Sequence, residues 1–441
     1  MSQTAPSPAP LRVVLYSHDS LGLGHLRRNL ALAHALAQDL PALSGRDVAG
    51  LLVRGLTPGV DLPLPPGFDW LTLPGVAKGP GGYEPRHLGT GTADLLALRS
   101  ALLETALTCF GPDLVVIDRH PYGVHRELLA PLRRLRRARP SCQVVLGLRE
   151  VLDSPGCVQA EWHRLGDTGE LRHLIDHVWV YGDPAVHDLR RSGEAPTALA
   201  DRITYTGYLA AGRARTDRPE ALLTTRPYVL TTTGGGQDGA VLVRAALGAR
   251  IPPGHAHVVV AGPQARARDL ADLTPRAGTR LLRCLPGLSL HIAQASAVIA
   301  MGGYNTVNEV LASTTPALIV PREAPRAEQL IRARALAASG AVDLMRVADL
   351  SPQALSEWVH RAVGRHRDRS HLRRDGLARV ARLAADLLAP SAGARGPGPA
   401  GPTGPGVRPV PAPRTRQAPA RGRPSHQRPA APATTSPRST S

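Results

Sequence analysis

Two hydrophobic patterns alternate along the chain. Short, nearly unbroken apolar runs are separated by longer stretches in which apolar residues recur every three or four positions. The first pattern is that of a strand buried on both faces, the second that of one face of a helix. Leu11–Tyr16, Val48–Val53, Asp113–Ile117, Gln143–Leu148 and His177–Tyr181 read as strands. Leu26, Leu30, Ala33, Leu36, Ala37 and Leu40 mark a helix over His25–Leu40, and Asp94–Phe110 and Glu127–Arg139 read as two more. The alternation then restarts. Tyr228–Thr232, His257–Ala261, Thr279–Cys284, Ala297–Ala300 and Ala317–Val320 read as strands, and Ala240–Ala249, Thr306–Ala312 and Ala327–Ser339 as helices. Such alternation predicts an α/β fold of two doubly wound, Rossmann-like domains. Residues 11–210 form the first and 227–389 the second, with a linker over 211–226. Residues 1–10 and 390–441 carry no apolar periodicity and are expected to be disordered. Ligands of such folds bind in the crevice at the carboxyl ends of the strands.

Charge changes this picture little. The chain has 441 residues with 53 basic and 35 acidic side chains, a formal +18. Eight of the bases are arginines in the tail, so the rest carries 45 − 35 = +10. Lys78 is the one lysine; with the abundant Ala, Gly and Pro this points to GC-rich codon usage rather than to a basic partner. Aromatics make up 3%, too few for base-stacking platforms, and no specific nucleic-acid binding is expected. No apolar run is long enough to cross a membrane, and the N-terminus lacks a basic segment followed by an apolar one. Four scattered cysteines (Cys109, Cys142, Cys157, Cys284) exclude a zinc cage or disulfide framework. A cytoplasmic location follows, with weak peripheral association with anionic membrane through the Arg-rich tail as an option. The run Arg133–Arg139 is either a second lipid-facing patch or a solvated helix face.

Three strand-to-helix turns carry candidate chemistry. Ser17-His18-Asp19-Ser20-Leu21-Gly22-Leu23-Gly24-His25 joins the first strand to the first helix. Gly22 and Gly24 permit close backbone approach to a ligand, but Arg27 stands where a dinucleotide fingerprint needs its third glycine. His18 and His25 flank this turn and are candidate proton acceptors, with Asp118 next. Thr231–Ala240 runs a strand into Gly234-Gly235-Gly236-Gln237 and a helix start, an anion site without a Walker lysine. Ala300–Glu309 repeats the device with Gly302 and Gly303, Asn305 or Thr306 as the helix cap, and Glu309 one turn in, where a carboxylate accepts ribose hydroxyls. Glu328 and Gln329, after the strand Ala317–Val320, suit sugar hydroxyls. His120 and Arg149 end first-domain strands and are candidates for an acceptor or phosphate; for Arg149 a structural ion pair is equally open.

The segments SHDSLGLGHLRRNLALAHAL and MGGYNTVNEVLASTTPALIVPREAPRAEQLIRARAL resemble a bacterial family of predicted glycosyltransferases related to the MurG-type, family 28-like UDP-sugar transferases. The resemblance covers roughly residues 11–385. It implies the GT-B fold, with the donor on the C-terminal domain and the acceptor on the N-terminal one. It further implies that Gly302 to Thr306 cradle the diphosphate, that Glu309 binds ribose and that Gly235, Gly236 and Gln237 form the other glycine loop. Glu328 and Gln329 then face the donor sugar, and Leu281–Leu285, with Cys284 and Leu285, border the uracil. This chain departs from the family in a sparser glycine turn before His25 and in an acid, Glu328, where an amide is usual.

The expected function is transfer of a sugar from a nucleotide diphosphate donor, a UDP-sugar such as UDP-GlcNAc, to an unidentified acceptor, with inversion. No cofactor is called for. No D-x-D motif occurs, in keeping with the metal-independent donor binding that the resemblance implies. A UDP-sugar 2-epimerase-like isomerase and a non-catalytic sugar-nucleotide-binding protein stay as alternatives. A chain ending near Pro390 is expected to keep the melting temperature of the full chain and to lose only salt-sensitive sedimentation with anionic liposomes.

Overall fold

The computed structural model describes residues 8–18, 24–55, 62–79, 82–213 and 224–389. Gly22, the tail from 390, most of the linker and the first seven residues lie outside that set.

The first sheet is built from β1 (Leu11–Tyr16), β2 (Val48–Arg54), β3 (Phe68–Thr72), β6 (Leu114–Asp118), β7 (Gln143–Arg149), β8 (His177–Tyr181) and β9 (Ile203–Tyr205). Between β3 and β6 lies an antiparallel hairpin of β4 (Val76–Gly79) and β5 (Gly82–Pro85). The second sheet holds β10 (Tyr228–Thr232), β11 (Ala256–Val260), β12 (Thr279–Leu282), β13 (Ala297–Ala300), β14 (Ala317–Ile319) and β15 (Asp343–Leu344). The order in the first sheet is β3-β2-β1-β6-β7-β8-β9 and in the second β12-β11-β10-β13-β14-β15. Neighbours in both sheets run parallel, for example Val13 against Gly50 and Leu114 and Thr231 against Val259 and Ile299. Each sheet reverses its order once, next to β1 and next to β10. A reversal leaves a crevice at the strands' carboxyl ends, because the flanking helices depart to opposite faces.

The helices are α1 (Gly24–Ser44), α2 (Thr92–Phe110), α3 (Leu129–Ala138), α4 (Pro155–His163), α5 (Thr168–Leu174), α6 (Ala240–Gly248), α7 (Ala267–Leu270), α8 (Leu288–Gln294), α9 (Tyr304–Leu311), α10 (Glu328–Ala338), α11 (Pro352–Ala362) and α12 (Gly376–Leu388). Local chemistry starts several of them. The Ser351 side chain accepts from the Ala354 N–H at 3.0 Å ahead of Pro352 at the first helical position, a cap plus a preset φ. Asp167 caps α5 through the Gly169 N–H at 2.8 Å.

Strand alternation divides the core. Val14, Tyr16, Val115 and Ile117 face α2 and α3, while Val13, Leu15, Leu114 and Val116 face α1. In the second sheet Leu230, Val258 and Val298 face α9 and α10, and Val229, Val259 and Ile299 face α6 and α11.

The last helix departs from the expected arrangement. Placed with 227–389 by its position in sequence, α12 instead packs on α1: Leu377, Val380, Ala381 and Ala384 join Leu30, Leu36 and Leu40 in the first domain's core. The chain therefore passes between the two sheets twice. The two crossings pair, with the Tyr208 N–H donating to Arg373 O at 2.8 Å and the Gly376 N–H to Tyr208 O at 3.0 Å. A Cβ at Gly376 would stand 2.4 Å from Gly207 O, so glycine is required for this approach. The two sheets belong to one compact unit.

Three of the five arginines of the basic run are in ion pairs, and Arg134 and Arg137 are exposed. Arg133 meets Glu170, Arg136 meets Asp176, and Arg139 meets Asp113 at 3.1 Å. Among the described residues no helix is long and apolar enough to cross a membrane.

Leu377→Ala should destabilise the chain by about 2–4 kcal/mol, the cost of a cavity at a buried leucine. Urea unfolding read from first-domain tryptophan, Trp179, should report the full loss, because α12 is part of that core.

Candidate active site

Two crevices face each other. The first lies where β1 and β6 end. His25, in the first turn of α1, places Nδ1 2.9 Å from Oδ2 of Asp118, the last residue of β6. Asp118 is 1% exposed and also accepts from Arg28 Nη2 at 2.6 Å. Burial alone would raise its pKa; the charges of Arg28 and His25 outweigh this and hold the carboxyl well below the usual range. An ionised Asp118 favours the His25 tautomer with its proton on Nδ1, which leaves the lone pair on Nε2, while Arg28 Nη2 stands 3.0 Å from the same Nδ1 and favours the opposite tautomer. Asp118 is thus saturated by its neighbours and suited to orienting His25 rather than to taking a proton itself.

His18 and His120 complete an imidazole cluster. The His18 ring centroid is 4.6 Å from that of His25 and 4.8 Å from that of His120. Burial first, then the adjacent imidazoles, push both pKa values well below the ordinary one, so both rings are neutral near pH 7. Tyr83 of the hairpin stands edge-on to His18 at 6.4 Å. The loop holding His120 is strained. Arg119, His125 and Arg126 have φ of +70°, +44° and +66°, a region that costs a non-glycine residue about 1–2 kcal/mol each. Arg119 is kept there by Glu161 and the Trp162 face.

The second crevice lies where β10 and β13 end. A Cβ on Gly236 (φ +90°) would stand 2.3 Å from Ala261 O, and one on Gly234 would be 3.1 Å from Thr306 Oγ1. The turn Gly234–Gly236 is thereby pressed between the loop after β11 and the start of α9. The two glycine turns singled out from sequence therefore meet. The cap differs: the N-cap of α9 is Gly303, with no side-chain bond to the helix. Open space faces a Cβ placed there. Asn305 is turned away, its Nδ2 donating to Gly24 O at 2.9 Å across the crevice. Gln237 is exposed, and Cys284 and Leu285 follow the end of β12, which closes at Leu282 rather than Cys284.

The acids stand as follows. Glu309 is buried, with Oε1 accepting from Arg27 Nη2 at 2.8 Å and Oε2 without a partner. Glu328 pairs with Arg322 at 3.0 Å and stands 3.8 Å from Arg149. Gln329 Oε1 accepts from the Arg322 N–H at 3.1 Å. The ion pair suggested for Arg149 is therefore loose and not with Glu150. Glu150 belongs to Arg332 at 2.6 Å, both nearly fully buried. Arg332 also donates to Gly302 O at 3.0 Å. Tyr304, at the head of α9, donates to Tyr181 O at 3.0 Å, and its ring lies 5.4 Å from the Arg28 guanidinium. Arg27, Arg28, Arg213, Arg332 and Tyr304 were not marked by the sequence reading; the one available signal was that Arg28 follows His25 by one helical turn. Among the described residues no group of three or more His, Cys, Asp or Glu is arranged to hold a metal ion.

Residues 262–376 match the glycosyltransferase family 28 C-terminal domain. That match falls almost wholly within the second domain. Over 191 residues the chain is 33% identical to the UDP-N-acetylglucosamine–N-acetylmuramyl-(pentapeptide) pyrophosphoryl-undecaprenol N-acetylglucosamine transferase of Corynebacterium efficiens, covering 42% of this chain and 51% of that one. A second such transferase, from Paenarthrobacter aurescens, is 31% identical over 140 residues, 30% of this chain and 36% of that one. The chain thus spans at most about half the length of these curated relatives. Among solved structures, the glycotransferase of kitacinnamycin aligns with a TM-score of 0.52 at 18% identity, over 86% of this chain and 98% of that one. Spinosyn forosaminyltransferase SpnP aligns at 0.52 and 15%, over 86% and 94%. The fold is GT-B, and the chain is related to the MurG-type transferases.

The neutral rings of the buried His18 and the half-buried His120 make stability pH-dependent. Unfolded histidines titrate near pH 6.5, folded ones here well below, so the unfolded state binds more protons in between. Stability should fall on acidification from pH 7 to 5, by up to about 1.4 kcal/mol per pH unit for each such ring. Thermal melts should show this slope, and His120→Gln should flatten it.

Proposed function

We propose that the chain is an inverting glycosyltransferase that uses a UDP-sugar. Its C-terminal domain holds the donor, with the diphosphate at the N-terminus of α9 and the turn Gly234–Gly236, and the ribose at Glu309. Its N-terminal domain holds the acceptor, whose hydroxyl gives its proton to Nε2 of His25. The acceptor oxygen then attacks the anomeric carbon as the bond from that carbon to the diphosphate oxygen breaks. The freed N–H groups of α9 stabilise the charge that gathers on the departing UDP. Asp118 stabilises the imidazolium that forms. Arg28 keeps Asp118 ionised for that role. The observation that carries this reading is the bond from Asn305 to Gly24 O at 2.9 Å, which sets the head of the His25 helix against the donor cradle.

The test is incubation with a panel of UDP-sugars and lipid- or peptidoglycan-derived acceptors, read by mass spectrometry. Free UDP with a glycosylated product supports transfer. An altered UDP-sugar without UDP release would indicate an isomerase, and binding unaffected by loss of both His18 and His25 a binding protein. His25→Ala should lower turnover by about 10²–10⁴-fold, the weight of a general base. UDP affinity by calorimetry should stay within about twofold, since His25 sits in the other domain.

A further inference from the structure

Three arginines and two carboxylates meet where the two domains face each other, and their arithmetic is uneven. Arg28 is matched by Asp118. Glu309, buried on α9, is shared by two guanidinium groups: Arg27 Nη2 at 2.8 Å and Arg213 Nη1 at 3.9 Å from the same oxygen, Oε1. Among the described residues its other oxygen has no partner. Arg213 is anchored besides, donating to Leu209 O at 2.7 Å and to Asn305 Oδ1 at 3.3 Å. Among the described residues Arg27 has no second partner of this kind, and its side chain is 37% exposed. One positive charge is therefore in excess beside an uncapped helix N-terminus whose leading residue, Gly303, fronts open space.

We propose that Arg27 is the cation that binds the donor's diphosphate, supplied from the acceptor domain. This rests on the reading of α9 as the donor cradle and adds a contact which neither the glycine turns nor the relatives assign. In this structure the guanidinium lies on Glu309. With a nucleotide present, ribose hydroxyls engage Glu309 and Arg27 turns to the phosphate oxygens, where it forms charge-assisted hydrogen bonds. Its place on α1, two residues after His25, gives the contact a second consequence. An Arg27 held by the diphosphate draws the helix carrying the base toward the donor, so only a nucleotide diphosphate closes the cleft over the reacting centre.

Calorimetry with UDP and with uridine on the full chain separates the possibilities. Arg27→Gln should weaken UDP binding by about ten- to a hundredfold, the range of a lost hydrogen bond to a charged group. Uridine binding should be unchanged or tighter, because Glu309 is released. Arg27→Lys should restore most of the UDP affinity. Unchanged UDP affinity in Arg27→Gln, or equal weakening of UDP and uridine, would overturn the proposal and reduce Arg27 to a clasp between domains. Wild-type protein that binds neither ligand would instead defeat the donor-site reading on which the proposal stands.

Discussion

Parallel strands must all end on the same side, and a sheet that is wound outward in both directions must part its loops at one point. Nearly every feature of the two crevices follows from that constraint. The loops after β1 and β6 cannot cover one another, so His18, His25 and Asp118 are left at an open seam. The loops after β10 and β13 part in the same way, and the gap is lined by glycine backbone and the head of α9. The first seam collects imidazoles around an ionised carboxyl; the second collects glycine backbone and a helix N-terminus. The proposed sugar transfer draws on both, and two separately wound domains place them on opposite sides of one cleft.

The charges between the seams are costly to bury, and their pairing explains why they are tolerated. Arg332 and Glu150 are almost fully removed from water, and such a pair recovers its desolvation only when further hydrogen bonds complete it. Here Gly302 O at 3.0 Å and Val151 O at 3.3 Å take the remaining guanidinium protons. Removing one partner would leave an uncompensated charge, a loss of roughly 3–5 kcal/mol. An apolar replacement of similar volume would hold the domains equally well, so the pair's value lies elsewhere. By binding Gly302, Arg332 fixes the backbone that leads into α9, and Glu150 holds Arg332 in place from the first domain.

The strands were legible because their runs are buried on both faces: Leu11–Tyr16, Tyr228–Thr232 and Ala297–Ala300 have the same limits in sequence and structure. The glycine turns were legible because few residues tolerate φ near +90° against a neighbouring carbonyl, as Gly236 must. The edge strand β3 was not, since its face is half-solvated and its pattern, Phe68-Asp69-Trp70-Leu71-Thr72, is short and mixed. The helix α12 reads as helix but not as part of the first domain, because hydrophobic periodicity states that a face is buried and not against what. The cap of α9 was misread for a related reason. Asn305 has the chemistry of a cap, but a partner in the other domain, Gly24 O, takes its amide. Arg27, Arg213 and Arg332 were hidden by composition, since an arginine carries little information in a chain with a single lysine.

The double crossing constrains how the seams lie against each other. Residues 206–211 and 373–376 run side by side, bonded through Tyr208, Arg373, Arg374 and Ala211, and glycines at 207 and 376 permit backbone contact. A single linker would leave one domain free to twist about it; two bonded crossings leave bending about their common line as the easy motion. Away from that line the domains meet through the buried Arg332–Glu150 pair, through Tyr304, whose ring joins the first domain's core and whose hydroxyl donates to Tyr181 O, and through lighter polar contacts: Arg27 with Glu309, Asn305 with Gly24, Ala327 N–H with Asp153. Each of the lighter contacts can be exchanged for water or for a ligand oxygen at smaller cost than the buried pair. The lighter contacts thus involve the same kinds of group that a sugar nucleotide offers, and on the proposed reading its hydroxyls and phosphate oxygens compete with Glu309 and Asn305 for these partners.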